Sequence, residues 1–159
     1  MFRESAPINI YRFRSENALA YSKHVQTYQN AAISSASPLQ LVIMLYDGAL
    51  KFLKLAREAM EHRELYQQND RIQKAQKIIT ELMSCLDMHQ GGEIAQNLFA
   101  LYSYCYNELV MANVEDNVEA LDRAVKVLTD LRSSWVELEI MYRTKVQDQE
   151  DVSQTSKAA

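Results

Sequence analysis

The chain has 159 residues, enough for one domain with a substantial core and too few for two comfortable ones. Its 17 Lys and Arg against 21 Asp and Glu leave a formal net charge of −4, which argues against a general nucleic-acid binder, since phosphate binding needs clustered cations. Three glycines and two prolines punctuate it too sparsely for many short strands and suit a few long helices.

No apolar run approaches the roughly 20 residues of a membrane span, and the N-terminus lacks the hydrophobic core of a secretory signal. A cytoplasmic chain without membrane insertion is expected. Residues 1–17, MFRESAPINIYRFRSEN, hold no sustained period and read as a flexible extension, Arg3, Arg12 and Arg14 being too few to make a basic arm. From Ala18, Tyr21, Val25, Tyr28 and Ala32 stand at helical spacing, so residues 18–36 form a short amphipathic segment that needs a partner surface and caps the helices after it.

Ser37 and Pro38 open the first long helix, the serine oxygen accepting from orphan N–H groups and the proline having no N–H to waste. Val42, Leu45, Ala49, Phe52 or Leu53, Ala56 and Met60 mark its core stripe, with Ile43, Tyr46 and Leu50 on a second stripe beside it. The apolar surface is therefore wider than one neighbouring helix covers. Gly48 costs about 1 kcal/mol relative to alanine at mid-helix. It reads equally as a packing site for a neighbouring helix or as the close approach of a bound peptide.

Ile72, Ala75, Ile79, Leu82 and Leu86 predict a second helix over about 64–88, ended by Gly91 and Gly92, whose left-handed freedom suits a C-cap. A third carries Ile94, Leu98, Leu101, Cys105 and Leu109 on its stripe, with Phe99, Tyr102 and Tyr106 adjacent. After the polar break ANVEDN, Val118, Leu121, Val125, Leu128, Leu131, Trp135, Leu138 and Tyr142 mark a fourth. Residues 145–159 have almost nothing to bury and read as a disordered tail. The fold expected is all-α, an antiparallel up-down four-helix bundle over 37–144 with a short N-terminal helical segment.

Catalytic chemistry finds no assembled partners. His24, His62 and His89 are scattered, no Glu-x-x-His pair supports a di-iron site, and neither Cys85 nor Cys105 has a ligand neighbour at zinc spacing. The two cysteines read as reduced packing residues. His89 sits beside the glycines rather than mid-helix, against a phosphotransfer role, and no nucleophile elbow or phosphate-cradling glycine loop is present. The pairs Glu58/Glu61 and Asp116/Glu119 read as solvated helix faces. No enzyme, metal or cofactor is expected. What remains is excess aromatic surface, nine tyrosines in all, many beside the core stripes. Each of Tyr46, Tyr102 and Tyr106 suits the core rim as well as a groove; as a group they point to a groove for a partner helix.

The run SASPLQLVIMLYDGALKFLKLA, through Ala36, Ser37, Pro38, Leu41, Met44, Leu45, Tyr46, Asp47, Gly48 and Phe52, resembles the opening motif of the flagellin export chaperone family, FliS. LDMHQGGEIAQNLFALYSY resembles the family's second signature, and KAQKIITEL and LTDLRSSW its second and fourth helices, so the likeness covers about residues 28–142. The resemblance implies a cytoplasmic, non-enzymatic bundle that binds the disordered C-terminal segment of flagellin, prevents premature polymerisation and delivers it to the flagellar type III export apparatus. It also implies a displaceable N-terminal cover, which transfers here to Tyr21, Val25, Tyr28 and Ile33. The groove beneath is expected from Ile43, Tyr46, Leu50, Tyr102 and Tyr106. Val25 stands where the family commonly has a second tyrosine, and Glu108 where it has a basic residue. A homodimer is left open. A bundle adaptor for a different flagellar or regulatory client is the alternative. A small-ligand or signalling bundle would need a dry pocket with converging polar groups, which the core stripes do not supply.

Overall fold

The computed structural model of the chain describes residues 36–157, with side chains described to 150. Within them lie four helices: α1 (Pro38–Glu61), α2 (Leu65–Ser84), α3 (Gly92–Val114) and α4 (Val118–Lys157). Each packs on two neighbours, α1 and α3 lying diagonally opposed between α2 and α4. Gln40 of α1 bonds Glu139 of α4 at one end, while Arg57 pairs with Asp122 at the other, so these two helices run antiparallel. The all-α up-down bundle is the fold observed.

The start of α1 follows the residues named for it. Ser37 Oγ accepts from the Gln40 N–H at 3.2 Å, and the Ser37 N–H donates to Gln40 Oε1 at 2.9 Å, a reciprocal capping box with Pro38 just behind it. The remaining amide of Gln40 donates to Glu139 Oε1 at 3.2 Å, and that same oxygen accepts from Arg143 Nη2 at 2.6 Å. Glu139 is thus a buried carboxylate with its charge compensated, clamping the base of α1 to α4. At the far end Gln68, also buried, donates to Asp116 Oδ1 at 2.8 Å and holds the α3–α4 turn.

The core is one cluster spanning all four helices, with Leu53, Ile72, Ile79, Leu82, Leu109, Leu121 and Leu128 essentially closed to solvent. Each such side chain contributes about 1.5–3 kcal/mol of burial free energy. Both cysteines are buried, as expected of packing residues. Gly48 is buried too, on the flank of α1 that carries Phe52, above which Lys74 of α2 sits at 5.8 Å.

Four expectations are corrected. Helix α2 ends at Ser84 rather than near 88, because Asp87 Oδ1 accepts from the N–H groups of His89 and Gln90 and forms the turn before the glycines are reached. Gly92, at φ +50°, opens α3 instead of closing α2; a Cβ there would meet nothing within 4 Å, so its constraint is conformational. The stripe of α3 that faces the core is Ala95, Leu98, Tyr102, Cys105, Leu109 and Ala112, while Ile94 and Leu101 face out. Lastly, residues 145–157 are not a disordered tail: α4 continues to Lys157, with no glycine or proline after Gly92 to stop it.

Candidate functional site

Tyr46 and Tyr102, both expected in a groove, meet instead at the centre of the bundle. Their hydroxyls lie 2.5 Å apart, the rings tilted at 48° with centroids 6.4 Å apart, and both residues are fully buried. Trp135 Nε1 donates to the Tyr46 hydroxyl at 3.1 Å, so one three-residue network ties α1, α3 and α4 together. Burial pushes the Tyr46 phenol up to about 12 despite those bonds, and it raises Tyr102 further, assisted by Tyr46 itself. Burial likewise pushes the neighbouring Cys105 thiol up to about 12. These groups stay neutral and internal, and the groove assignment of Tyr46 and Tyr102 is corrected: from the flank of α1, a side chain as long as tyrosine reaches the bundle axis.

The other groove candidates do not share a surface. Ile43 and Leu50 are partly buried against the core on α1, and Tyr106 is exposed on the diagonally opposed α3. Tyr21, Val25, Tyr28 and Ile33 lie outside the described residues.

The exposed apolar surface is concentrated on α3 instead. Its core stripe is flanked on one side by Phe99, Tyr106 and Val110, and on the other by Ile94, Leu101, Tyr104 and Met111, all at least a third exposed. Spacings of three, four and seven residues keep each set on its own flank. Asn113 bonds Asn69 of α2 at 2.7 Å, whereas Glu108 receives Arg123 of α4 at 2.7 Å, which identifies the flank of Phe99, Tyr106 and Val110 with the α2 seam and that of Leu101, Tyr104 and Met111 with the α4 seam. Amphipathic surface helices show one apolar stripe, and a helix apolar on nearly every side is normally enclosed. Here it is not.

Sequence reasoning missed Phe99, Leu101, Tyr104, Val110 and Met111 as surface residues. The signal was present: NLFALYSYCYNELVMANV has apolar residues at too many angles for one stripe. Among the described residues, no three His, Cys, Asp or Glu side chains converge to hold a metal ion, and no helix is long and apolar enough to cross a membrane. The arrangement can take an amphipathic helix on either flank of α3.

A model of the family described as flagellar protein FliS matches residues 21–142. Similar relatives include the flagellar secretion chaperone FliS of Bacillus subtilis, 34% identical over 117 residues, covering 74% of this chain and 86% of that protein. The FliS of Vibrio cholerae is 34% identical over 115 residues, covering 70% and 85%, and the FliSB of Pseudomonas aeruginosa 36% over 116, covering 73% and 92%. A bacterial flagellar chaperone of known crystal structure superposes with a TM-score of 0.60 at 21% identity, over 76% of this chain and 94% of that one, a likeness of fold.

Proposed function

The chain belongs to the FliS family of flagellar secretion chaperones, and from that premise we propose that it binds the C-terminal segment of flagellin in the cytoplasm, blocks its premature polymerisation and delivers it to the flagellar type III export apparatus. The observation that carries the reading is the exposed aromatic and aliphatic surface on both flanks of α3. A segment whose amphipathic helices assemble with each other in a filament needs its apolar stripes covered until export. Helices laid along the two seams of α3 would cover them, with no catalytic step required.

Coupled folding and binding of this kind buries on the order of 1,000–3,000 Å² and spends several kcal/mol on ordering the client, so the complex is both stable and releasable. The test is calorimetric titration with a peptide of the last ~40 residues of the same organism's flagellin, a length sized to such an interface. The expected result is tight binding with a large negative heat-capacity change and a gain of helix by circular dichroism. No heat and no helix gain would overturn flagellin as the client.

A further inference from the structure

Helix α4 outruns the bundle. Gln40, in the first turn of α1, meets Glu139 of α4, and Gly92, at the start of α3, stands at the same level: counted from the Glu108–Arg123 ion pair, Gly92 and Glu139 are both about 24 Å down their helices. From there α4 runs on to Lys157, about 27 Å further. Every residue from Ile140 to Glu150 is exposed, so among the described residues no element packs alongside. Leu138, Tyr142 and Val146 carry the core-facing stripe of Leu128, Leu131 and Trp135 out along this overhang, at 44%, 56% and 38% exposure. A lone helix of that length is marginal in water, since most helical stability comes from packing an apolar face.

We infer that the overhang is a docking site for the same segment of a second copy of this chain, the two helices pairing antiparallel about a two-fold axis between Val146 and Gln147. The charges select this arrangement. Arg143 and Lys145 lie on the bundle side of that point, and Asp148 and Glu150 lie beyond it. An antiparallel pair centred there sets Lys145 against the partner's Asp148 and Arg143 against the partner's Glu150, whereas an in-register parallel pair sets like charges side by side. Helical spacing puts Lys145 and Asp148 on one flank of the apolar stripe and Arg143 and Glu150 on the other. A two-fold axis keeps each flank against its own counterpart, so both pairings are met at once. Arg143 also holds Glu139 at 2.6 Å, which leaves most of the selection to Lys145 and Asp148.

Lengths agree with this pairing. The axis lies about 11 Å beyond Glu139, so the two bundles stand about 22 Å apart, and an overhang of about 27 Å crosses the gap to the base of the other copy. There Leu138 and Ile94, 62% exposed, lie at nearly one level and receive its end. The apolar side chains that each copy offers present on the order of 400–500 Å², short of the roughly 800 Å² that one partner of a standard interface buries, so the dimer is weak and reversible. The charged turns follow residues 21–142 that match the family, so this contact belongs to this chain in particular and stands apart from the client reading.

The test is analytical sedimentation of the client-free full chain between ~1 and ~300 µM, a span suited to a contact smaller than a standard interface. The wild type should pass from monomer to dimer across it, with added salt raising the midpoint. Lys145→Glu and Asp148→Lys change exposed side chains and should each raise the midpoint at least about tenfold. The double variant Lys145→Glu/Asp148→Lys restores opposite charges across the axis and should return the midpoint to the wild-type value. A monomer at every concentration would overturn the pairing, as would single variants that dimerise like the wild type, which would move the contact off the overhang. A double variant as weak as the single ones would exclude the antiparallel register. No flagellin enters the measurement, so its failure leaves the chaperone reading untouched.

Discussion

The Tyr46 hydroxyl, 2.5 Å from that of Tyr102 and receiving the Trp135 N–H at 3.1 Å, is the shared atom of a polar network at the centre of an otherwise apolar core. No buried side-chain polar atom among the described residues lacks a partner, so removing this one oxygen leaves two groups unsatisfied at once. Tyr46→Phe should therefore cost about 1–3 kcal/mol. Adding Tyr102→Phe should cost less than the sum of the two single changes, because the second hydroxyl no longer has a partner to lose. Urea unfolding of the four proteins of this cycle measures the coupling; strict additivity would show that the hydroxyls do not interact. Tyr46→Asp, which a surface groove would tolerate, should unfold the bundle.

Alkaline pH tests the same network. Both phenols titrate above the ordinary tyrosine value, Tyr46 at about 12, so the folded state holds protons that the unfolded chain has already released. Their contribution to stability is complete below about 10, the unfolded tyrosine value, and is lost as pH rises from there through 12. The unfolding midpoint should fall across that window, and less steeply in Tyr46→Phe. A slope unchanged by the substitution would assign the loss to other groups.

Cys85 and Cys105 should both resist alkylation in the native protein and react readily in denaturant. Each is buried, and burial holds the Cys105 thiol far from its reactive thiolate. Labelling followed by mass spectrometry checks this, and rapid native modification of either would mean that the bundle opens locally.

Charge on the flanks of α3 should separate binding from folding. Tyr106→Asp on the α2 seam and Leu101→Asp on the α4 seam alter positions that are a little over a third exposed, so each should cost no more than about 2 kcal/mol and leave the bundle folded. Each should weaken the flagellin peptide at least about tenfold, which is 1.4 kcal/mol of binding free energy. Full affinity in one variant would confine the client to the other seam.

Local signals carried the architecture. Ser37 and Pro38 start α1 as their capping chemistry requires, and the three-four spacing of Ile72, Ala75, Ile79 and Leu82 sets the inner face of α2. These features act within a few residues of one helix, where sequence distance and spatial distance coincide. On α3 the same reasoning faltered, because apolar residues lie all around the helix and periodicity alone does not say which of them turns inward. Leu101 and Ile94 fit a stripe as well as Tyr102 did, yet they face solvent while Tyr102 is enclosed.

From its sequence alone, then, this protein is determined to be a helical bundle with long helices, a capped α1 and the motifs of the FliS family. Which tyrosines are core and which are surface was decided only when α1, α3 and α4 came together. A phenol near the edge of a stripe can point inward or outward with equal local propensity, and the partner that fixes the choice for Tyr46 lies 56 residues away in Tyr102, on a helix with which α1 shares no seam.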